Sequence, residues 1–134
     1  KEYLIIDELS YRLGPVKRSD IVVFRYPNDP RQYFIKRVVG LPGEHVKVSG
    51  GKVFVAPDGQ KPLVVLDERS YLGDVATTGD VEITLGSDQY FLLGDNRSAS
   101  LDSRIFGPVA KEFVTGRVWI RGWPPDRFTV FSKK

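Results

Sequence analysis

Short runs of β-branched and aromatic residues, separated by clusters of Gly, Pro, Asn and Asp, recur from one end of the chain to the other. Such runs favour strands because their side chains suit a pleated surface, and the intervening clusters favour turns. The pattern predicts strands at 3–6, 21–26, 33–39, 45–48, 52–55, 63–66, 81–85, 89–93, 114–120 and 127–131. Helix is expected only as a turn or two at 67–72 and 108–113. The predicted fold class is therefore mainly β, with very little helix.

Length and composition favour one folded domain. The chain has 134 residues, of which 41% are hydrophobic, enough to form a core. No run approaches the ~20 apolar residues that a membrane-spanning helix needs. The segment 49–85 has weak hydrophobic patterning, and residues 58–88 contain seven acidic and two basic side chains. We predict a single domain over 1–134, in which 49–85 forms an inserted β flap.

The chain contains no cysteine, which excludes disulfide bonds, thiolate zinc sites and cysteine nucleophiles. Its single histidine, His45, follows a Leu-Pro-Gly-Glu sequence that is typical of a turn. One histidine does not make a multi-histidine metal site, so His45 is expected to be a solvated loop residue. Covalent chemistry must therefore use Ser, Thr or Lys.

The C-terminal part of the chain is basic and aromatic. From Phe113 onward, five Lys or Arg side chains accompany one acidic side chain. The same segment carries Trp119, Trp123, Phe128 and Phe131. This composition suits an anionic membrane surface or a nucleic acid, and it equally suits a strand with one solvated face.

Two cations interrupt the apolar strand predicted at 33–39. Strand alternation places Lys36 on one face and Arg37 on the other, and both have apolar neighbours. A lysine among apolar side chains is desolvated, which lowers its pKa and allows it to act as a base. Arginine keeps its proton, so Arg37 is expected to be structural or ion-paired. The alternative for Lys36 is that its amine reaches solvent at the sheet edge.

A polar segment follows the strand predicted at 89–93. Residues 94–104 contain two aspartates, two arginines and three serines. Short polar side chains at the end of a buried strand are typical of hydrogen-bond networks and active sites. Asp102 and Arg104 are placed to form a charge-assisted pair, and Ser100 could orient a nearby amine. An ordinary surface loop is the alternative.

These two stretches resemble the most diagnostic segments of the bacterial type I signal peptidases, serine-lysine enzymes that release secreted proteins from their leader peptides. They read FIKRVVGLPGE at 34–44 and GDNRSASLDSRIFG at 94–107. SDIVVFRYP at 19–27 and WPPDRF at 123–128 are supporting matches, although the family usually has Gly where this chain has Ser19. The resemblance runs from Tyr3 to Phe131, is weakest across 49–85, and implies antiparallel sheets of the signal-peptidase type.

The resemblance also implies roles for individual residues. Lys36 matches the general base, and Ser100 matches the serine that orients it. Asp102 and Arg104 match the pair that braces the site, with structural support from Arg37, Asp95 and Gly94. Four residues fall where the family lines shallow pockets for small side chains before the cut: Leu4, Val23, Phe34 and Ile35. Such pockets admit Ala-x-Ala-like endings of signal peptides and exclude larger side chains.

The family's nucleophilic serine lies in a Ser-Met-x-Pro-Thr-like motif before the strand that corresponds to 3–6. We expect this serine upstream of Lys1, so the 134 residues alone are expected to be inactive. The resemblance implies no metal or other cofactor. It implies signal peptides of secreted preproteins and a lipid surface as partners, with no nucleic acid. It places the catalytic domain on the extracytoplasmic face of the bacterial cytoplasmic membrane.

Three alternatives remain beside this interpretation. The chain could be a peptide-binding relative that does not cut, although the presence of Lys36, Ser100 and Asp102 argues against this. Ser100 or Ser103 could be the nucleophile, a role that the family gives to neither. A basic β-barrel that binds nucleic acid is the alternative from another class, although a net charge of +3 gives it little support.

Overall fold

The chain forms two β-sheets in a computed structural model. The structure describes the backbone of residues 2–8, 15–58, 62–121 and 128–133, and the side chains of 15–58 and 62–118. In chain order the described elements are β1 Glu2–Glu8, β2 Ile21–Tyr26, β3 Asp29–Gly40, β4 His45–Ser49, β5 Lys52–Ala56, β6 Val64–Val65, α1 Arg69–Leu72, β7 Val81–Thr84, β8 Gln89–Leu93, α2 Ser103–Phe106, β9 Val109–Ala110, a 3-10 turn Lys111–Phe113, β10 Val114–Arg121 and β11 Phe128–Lys133. The prediction of a mainly β fold with very little helix is confirmed.

The larger sheet has seven strands in the order β11-β1-β10-β2-β3-β8-β9. The β1–β11 pair is parallel, and the other pairs are antiparallel. β2 and β3 form a hairpin, and the C-terminal end of β3 also pairs with β8. This arrangement places the chain that leaves β8 beside the middle of β3, where the candidate site lies.

The smaller sheet has four strands in the order β6-β5-β4-β7, all antiparallel. Its first strand in the chain is β4, which starts at His45 and pairs with both β5 and β7. The strands therefore start before the range 49–85 predicted for the flap. The single-turn helix α1 lies in the connection between β6 and β7.

β8 and the C-terminal end of β3 are buried on both faces. Phe91 and Leu93 of β8 pack with Val39 of β3 and with the valines of β4 and β5, which joins the two sheets. Tyr90 and Leu92 point the other way and pack with Val22, Phe24 and Val38. Continuous apolar runs are what a strand covered on both sides requires. The paired ends of β3 and β8 thus lie in the core next to the site.

Several local predictions differ from the structure. His45 is not a solvated loop residue: it begins β4, with Nδ1 2.7 Å from Thr84 Oγ1 and Nε2 2.7 Å from Glu82 Oε2. The strand predicted at 33–39 begins at Asp29, because the turn after Tyr26 takes only two residues. Residues 108–113 form β9 and a 3-10 turn instead of α-helix, and α2 was not predicted.

Gly40, at the end of β3, has no room for a side chain. A Cβ there would lie 2.7 Å from Val46 Cγ2 and 2.9 Å from both Leu85 Cδ1 and Phe91 Cβ. We expect Gly40→Ala to lower the free energy of unfolding by about 2–3 kcal/mol, the usual cost of overpacking a closed core. Thermal denaturation should show a Tm roughly 10 °C lower. An unchanged Tm would mean that the two sheets are not packed as described.

Candidate active site

Lys36 and Ser100 meet in space although 64 residues separate them in the chain. Lys36 Nζ donates a hydrogen bond to Ser100 Oγ over 3.1 Å. Lys36 is placed by β3, whose pairing with β2 sets it opposite Val22. Ser100 comes from the segment that follows β8, so the hydrogen bond closes the gap between a strand and a loop. The structure brings together the two residues that the resemblance pairs as base and orienting serine.

Burial lowers the pKa of the Lys36 ammonium group, because desolvation disfavours its charged form. Asp102 opposes this shift by attracting the positive charge, and Arg104 adds to it by repulsion. The Phe34 ring, whose centroid lies 5.8 Å from Nζ, forms part of the apolar surroundings. The amine is therefore uncharged at a lower pH than an exposed lysine and can accept a proton nearer to neutral pH.

Asp102 is a fully buried carboxylate beside this pair, with 0% of its surface exposed. It accepts hydrogen bonds from Gly94 N at 3.0 Å, Arg104 Nε at 2.9 Å and Arg104 Nη2 at 2.8 Å. Burial by itself raises the pKa of a carboxyl group, but these hydrogen bonds outweigh it, so the pKa of Asp102 lies below its ordinary value. The charged carboxylate ties the end of β8 to the start of α2, with Ser100 between them.

Gly94 is the point of closest backbone approach in the site. A Cβ at this position would lie 2.0 Å from Ser100 Oγ, 2.9 Å from Ser100 Cβ and 3.3 Å from Lys36 Nζ. Only a residue without a side chain leaves the space that the lysine–serine pair occupies. Its backbone N–H is also held by Asp102, so one residue contacts three predicted members of the site.

Arg37 and Asp95 form an ion pair behind the site. Arg37 Nε and Nη2 donate to the two carboxylate oxygens of Asp95 at 2.9 and 2.7 Å, and Nη1 donates to Ser19 O at 2.9 Å. Ser19 has a φ of 75°, the left-handed conformation that glycine adopts most easily. This conformation gives a physical reason for the Gly that the family usually has at this position. The pair joins the residue after Lys36 to the residue after Gly94.

Two residues of the 94–107 segment have structural positions that the sequence did not indicate. Arg97 is 0% exposed, donates to Gly94 O at 2.8 Å and pairs with Glu68. Ser103 is 2% exposed, and its Oγ accepts the Leu92 N–H at 2.9 Å. A buried hydroxyl bonded to the strand is poorly placed as a nucleophile, which argues against the Ser103 alternative. Nothing in the sequence connects Glu68 with Arg97.

The four predicted substrate-binding residues do not share one face of the sheet. Phe34 lies on the same face as Lys36 and stacks on Tyr26, with ring centroids 4.7 Å apart. Val23 and Ile35 are cross-strand partners, so they share the opposite face. Ile35 is 43% exposed and Val23 is buried. Leu4 belongs to β1, whose side chains lie outside the described residues.

The basic, aromatic C-terminal segment is described only in part. The backbone of Trp119 belongs to β10, and that of Phe128 and Phe131 belongs to β11, but these side chains and Trp123 lie outside the described residues. In the part of the chain that the structure describes, no helix has the length and apolar character needed to cross a bilayer. The predicted contact with a lipid surface remains a prediction.

Comparison with known proteins gives a consistent result. Residues 1–123 match the family described as "Signal peptidase, peptidase S26". The probable signal peptidase I-2 of Synechocystis sp. is 41% identical over 130 residues, covering 92% of this chain and 56% of the relative. The signal peptidase I of Leptolyngbya laminosa is 37% identical over 131 residues, covering 92% of this chain and 61% of the relative. This chain thus spans between 56% and 61% of the length of these two relatives.

The fold agrees with a solved structure. A crystal structure of a signal peptidase I from Enterococcus faecalis V583 matches with a TM-score of 0.65 and 32% sequence identity, over 78% of this chain and 97% of that chain. The family match covers residues 1–123. The chain belongs to the peptidase S26 signal peptidase family.

Proposed function

We propose that this chain is the catalytic part of a serine endopeptidase that removes signal peptides from secreted preproteins, with Lys36 as its general base. The observation that carries the proposal is the 3.1 Å contact between the partly desolvated Lys36 amine and Ser100 Oγ, backed by buried Asp102. Ser100 Oγ accepts one N–H of the Lys36 amine. This hydrogen bond orients the amine so that the nitrogen lone pair points away from Ser100. That lone pair is the feature that a general base needs.

The nucleophile in this proposal is a serine that precedes Lys1. Its hydroxyl proton passes to Lys36 Nζ as its oxygen bonds to the carbonyl carbon of the scissile peptide. The C–N bond then breaks, and the leaving amine takes the proton, which leaves an acyl-enzyme. Lys36 next accepts a proton from water as the water oxygen attacks the ester carbon. The ester C–O bond breaks, the serine oxygen takes that proton back from Lys36, and the signal peptide leaves as a carboxylate whose acidic proton passes to solvent. In this proposal the attacking group is not among the 134 residues, which alone should not cleave.

The proposed substrates are signal peptides that end in small side chains. Ile35 is next to Lys36 in β3 and is 43% exposed, although strand alternation places its side chain on the face of the sheet opposite Lys36. A cleft of about 370 Å³ borders Ser100 on the side of Thr78, Asp80 and Ile105. By analogy with the family, we propose that the partners are signal peptides and a lipid surface. The proposed location is the extracytoplasmic face of the bacterial cytoplasmic membrane.

The pH dependence of cleavage tests the proposed base. Because burial lowers the pKa of Lys36 from 10.5, the uncharged amine should predominate from a pH below that value upward. We expect kcat/KM of the full gene product on a preprotein with an Ala-x-Ala ending to rise with pH along a limb set by this amine. Below its pKa, kcat/KM should fall about tenfold per pH unit.

A profile that is flat where the Lys36 amine titrates would contradict the proposal. The Lys36 titration is assigned independently by the pH dependence of trace acetylation at this residue, read by mass spectrometry. Absence of any preprotein cleavage by the full gene product would instead favour the peptide-binding relative that does not cut.

Replacement of Ser100 distinguishes an orienting serine from a nucleophile. We expect Ser100→Ala to lower kcat about tenfold to hundredfold, because the amine loses its hydrogen-bond acceptor and some of its orientation. Single-turnover measurements should still show an acyl-enzyme forming, more slowly than in the wild type. Complete loss of acylation in a protein with unchanged Tm would identify Ser100 as the nucleophile. It would refute the proposal that Ser100 only orients Lys36.

A further inference from the structure

Arg97 is a fully buried cation that the proposed reaction does not use. Its Nη1 and Nη2 donate to the two carboxylate oxygens of Glu68, each at 2.7 Å, and Nη1 also donates to Thr77 Oγ1 at 2.8 Å. Its Nε points the other way and donates to Gly94 O at 2.8 Å. One guanidinium therefore joins the connection between β6 and β7 to the residue that lies against both Ser100 and Lys36.

The same connection contacts the other side of the site. Glu68 also accepts a hydrogen bond from the Tyr71 hydroxyl at 2.5 Å. The Tyr71 ring lies under the Arg37 guanidinium, with 3.9 Å between its centroid and Arg37 Cζ. Arg37 is adjacent to Lys36 and pairs with Asp95. Glu68 and Tyr71 thus support the strand that carries Lys36 and the segment that carries Ser100.

We propose that Glu68 and Arg97 form a positioning bridge, through which the four-stranded sheet and its α1 connection set the distance and orientation of Lys36 relative to Ser100. The inference rests on the proposed function and connects Arg97 to Glu68, a residue of 49–85, where the resemblance is weakest. Neither residue touches the reacting atoms, so both are positioning residues.

Charge and geometry favour positioning over stability as the role of this bridge. A buried ion pair stabilises a fold little compared with apolar side chains of similar volume, because both charges must be desolvated. The guanidinium nitrogens of Arg97, in contrast, donate along fixed directions that no single amine reproduces. The Gly94 carbonyl that Nε holds belongs to the residue with the least free space in the site. A small shift of this carbonyl changes the Lys36–Ser100 contact directly.

The test compares Arg97→Lys and Glu68→Gln with Asp67→Asn in the full gene product. Arg97→Lys keeps the charge but not the fork, and Glu68→Gln keeps the shape but not the charge. Asp67→Asn is the matched control, because Asp67 precedes Glu68 and its side chain is 64% exposed in a pair with Arg69. We expect kcat to fall about tenfold to hundredfold in the two bridge variants, with KM within about twofold of wild type. Asp67→Asn should change neither constant.

A second readout does not depend on cleavage. Trace acetylation of Lys36 as a function of pH reports the titration of its amine in the folded protein. Asp102 and Arg104 face this amine and are unchanged in both variants. Loosening the site admits water, so the titration midpoint should move upward in both bridge variants and stay in place in Asp67→Asn. If the wild type fails to cleave any preprotein but these shifts occur, the bridge stands and the proposed function fails.

A double variant separates positioning from folding. Glu68→Met with Arg97→Met removes both buried charges together, which should keep the Tm near that of the wild type. The bridge predicts that kcat stays low in this variant, because Gly94 O still lacks its donor. Wild-type kcat in the double variant, or wild-type kcat with an unshifted Lys36 titration in the single variants, would overturn the inference.

Discussion

Lys36→Met in the full gene product should lower kcat/KM for preprotein cleavage by about 10²- to 10⁴-fold. Methionine keeps much of the length and apolar stem of lysine but has no basic nitrogen. In the proposed mechanism, no group then accepts the proton of the attacking serine or of the water that hydrolyses the acyl-enzyme. Single-turnover cleavage of a preprotein with an Ala-x-Ala ending measures the loss at the chemical step.

Stability measurements distinguish lost chemistry from lost folding. The Lys36 ammonium is desolvated, so replacing it with an apolar side chain should leave the Tm unchanged or raise it. Lys52→Met is the matched control, because Lys52 is an exposed strand lysine in β5. Cleavage by Lys36→Met at the rate of Lys52→Met would show that another group is the base.

The strands could be predicted from local sequence because each depends on neighbouring residues. Phe91, Leu92 and Leu93 are apolar in succession, and the structure buries all three, as a central strand requires. The predicted strands at 21–26 and 89–93 have the observed bounds. Single-turn helix α2 could not be predicted in this way, because it depends on the Asp102 carboxylate accepting the Arg104 N–H while also holding Gly94.

The site could be predicted only in part for a different reason. Alternation along β3 separates Lys36 from Arg37, but nothing local brings Ser100 to Lys36 across 64 residues. The resemblance to a family supplied that pairing. The Glu68–Arg97 ion pair was missed because it spans 29 residues and begins in the segment with the weakest resemblance. His45 was misjudged because its partners, Glu82 and Thr84, reach it only once β4 pairs with β7.

Gly94→Ala is expected to lower kcat about hundredfold or more while leaving the protein folded. The added Cβ would lie 2.0 Å from Ser100 Oγ and 3.3 Å from Lys36 Nζ, so the serine hydroxyl must leave its position. The Tm should change less than in Gly40→Ala, because the methyl group meets a loop side chain instead of the closed core. Steady-state kinetics with a Tm measurement on the same sample tests both halves of this expectation.

Gly40→Ala provides the comparison for Gly94→Ala, since both introduce one methyl group into occupied space. The methyl at Gly40 meets core atoms at 2.7 to 2.9 Å, so that variant should lose stability and keep its kcat per folded molecule. A double-mutant cycle then locates the effect at Gly94. In a Ser100→Ala background the overlap with Oγ is absent and only the 2.9 Å approach to the Cβ of residue 100 remains, so Gly94→Ala should cost less than it does alone. Additive losses would mean that the methyl group does not act through Ser100. The absence of a side chain at Gly94 would then not be what allows the Lys36–Ser100 contact.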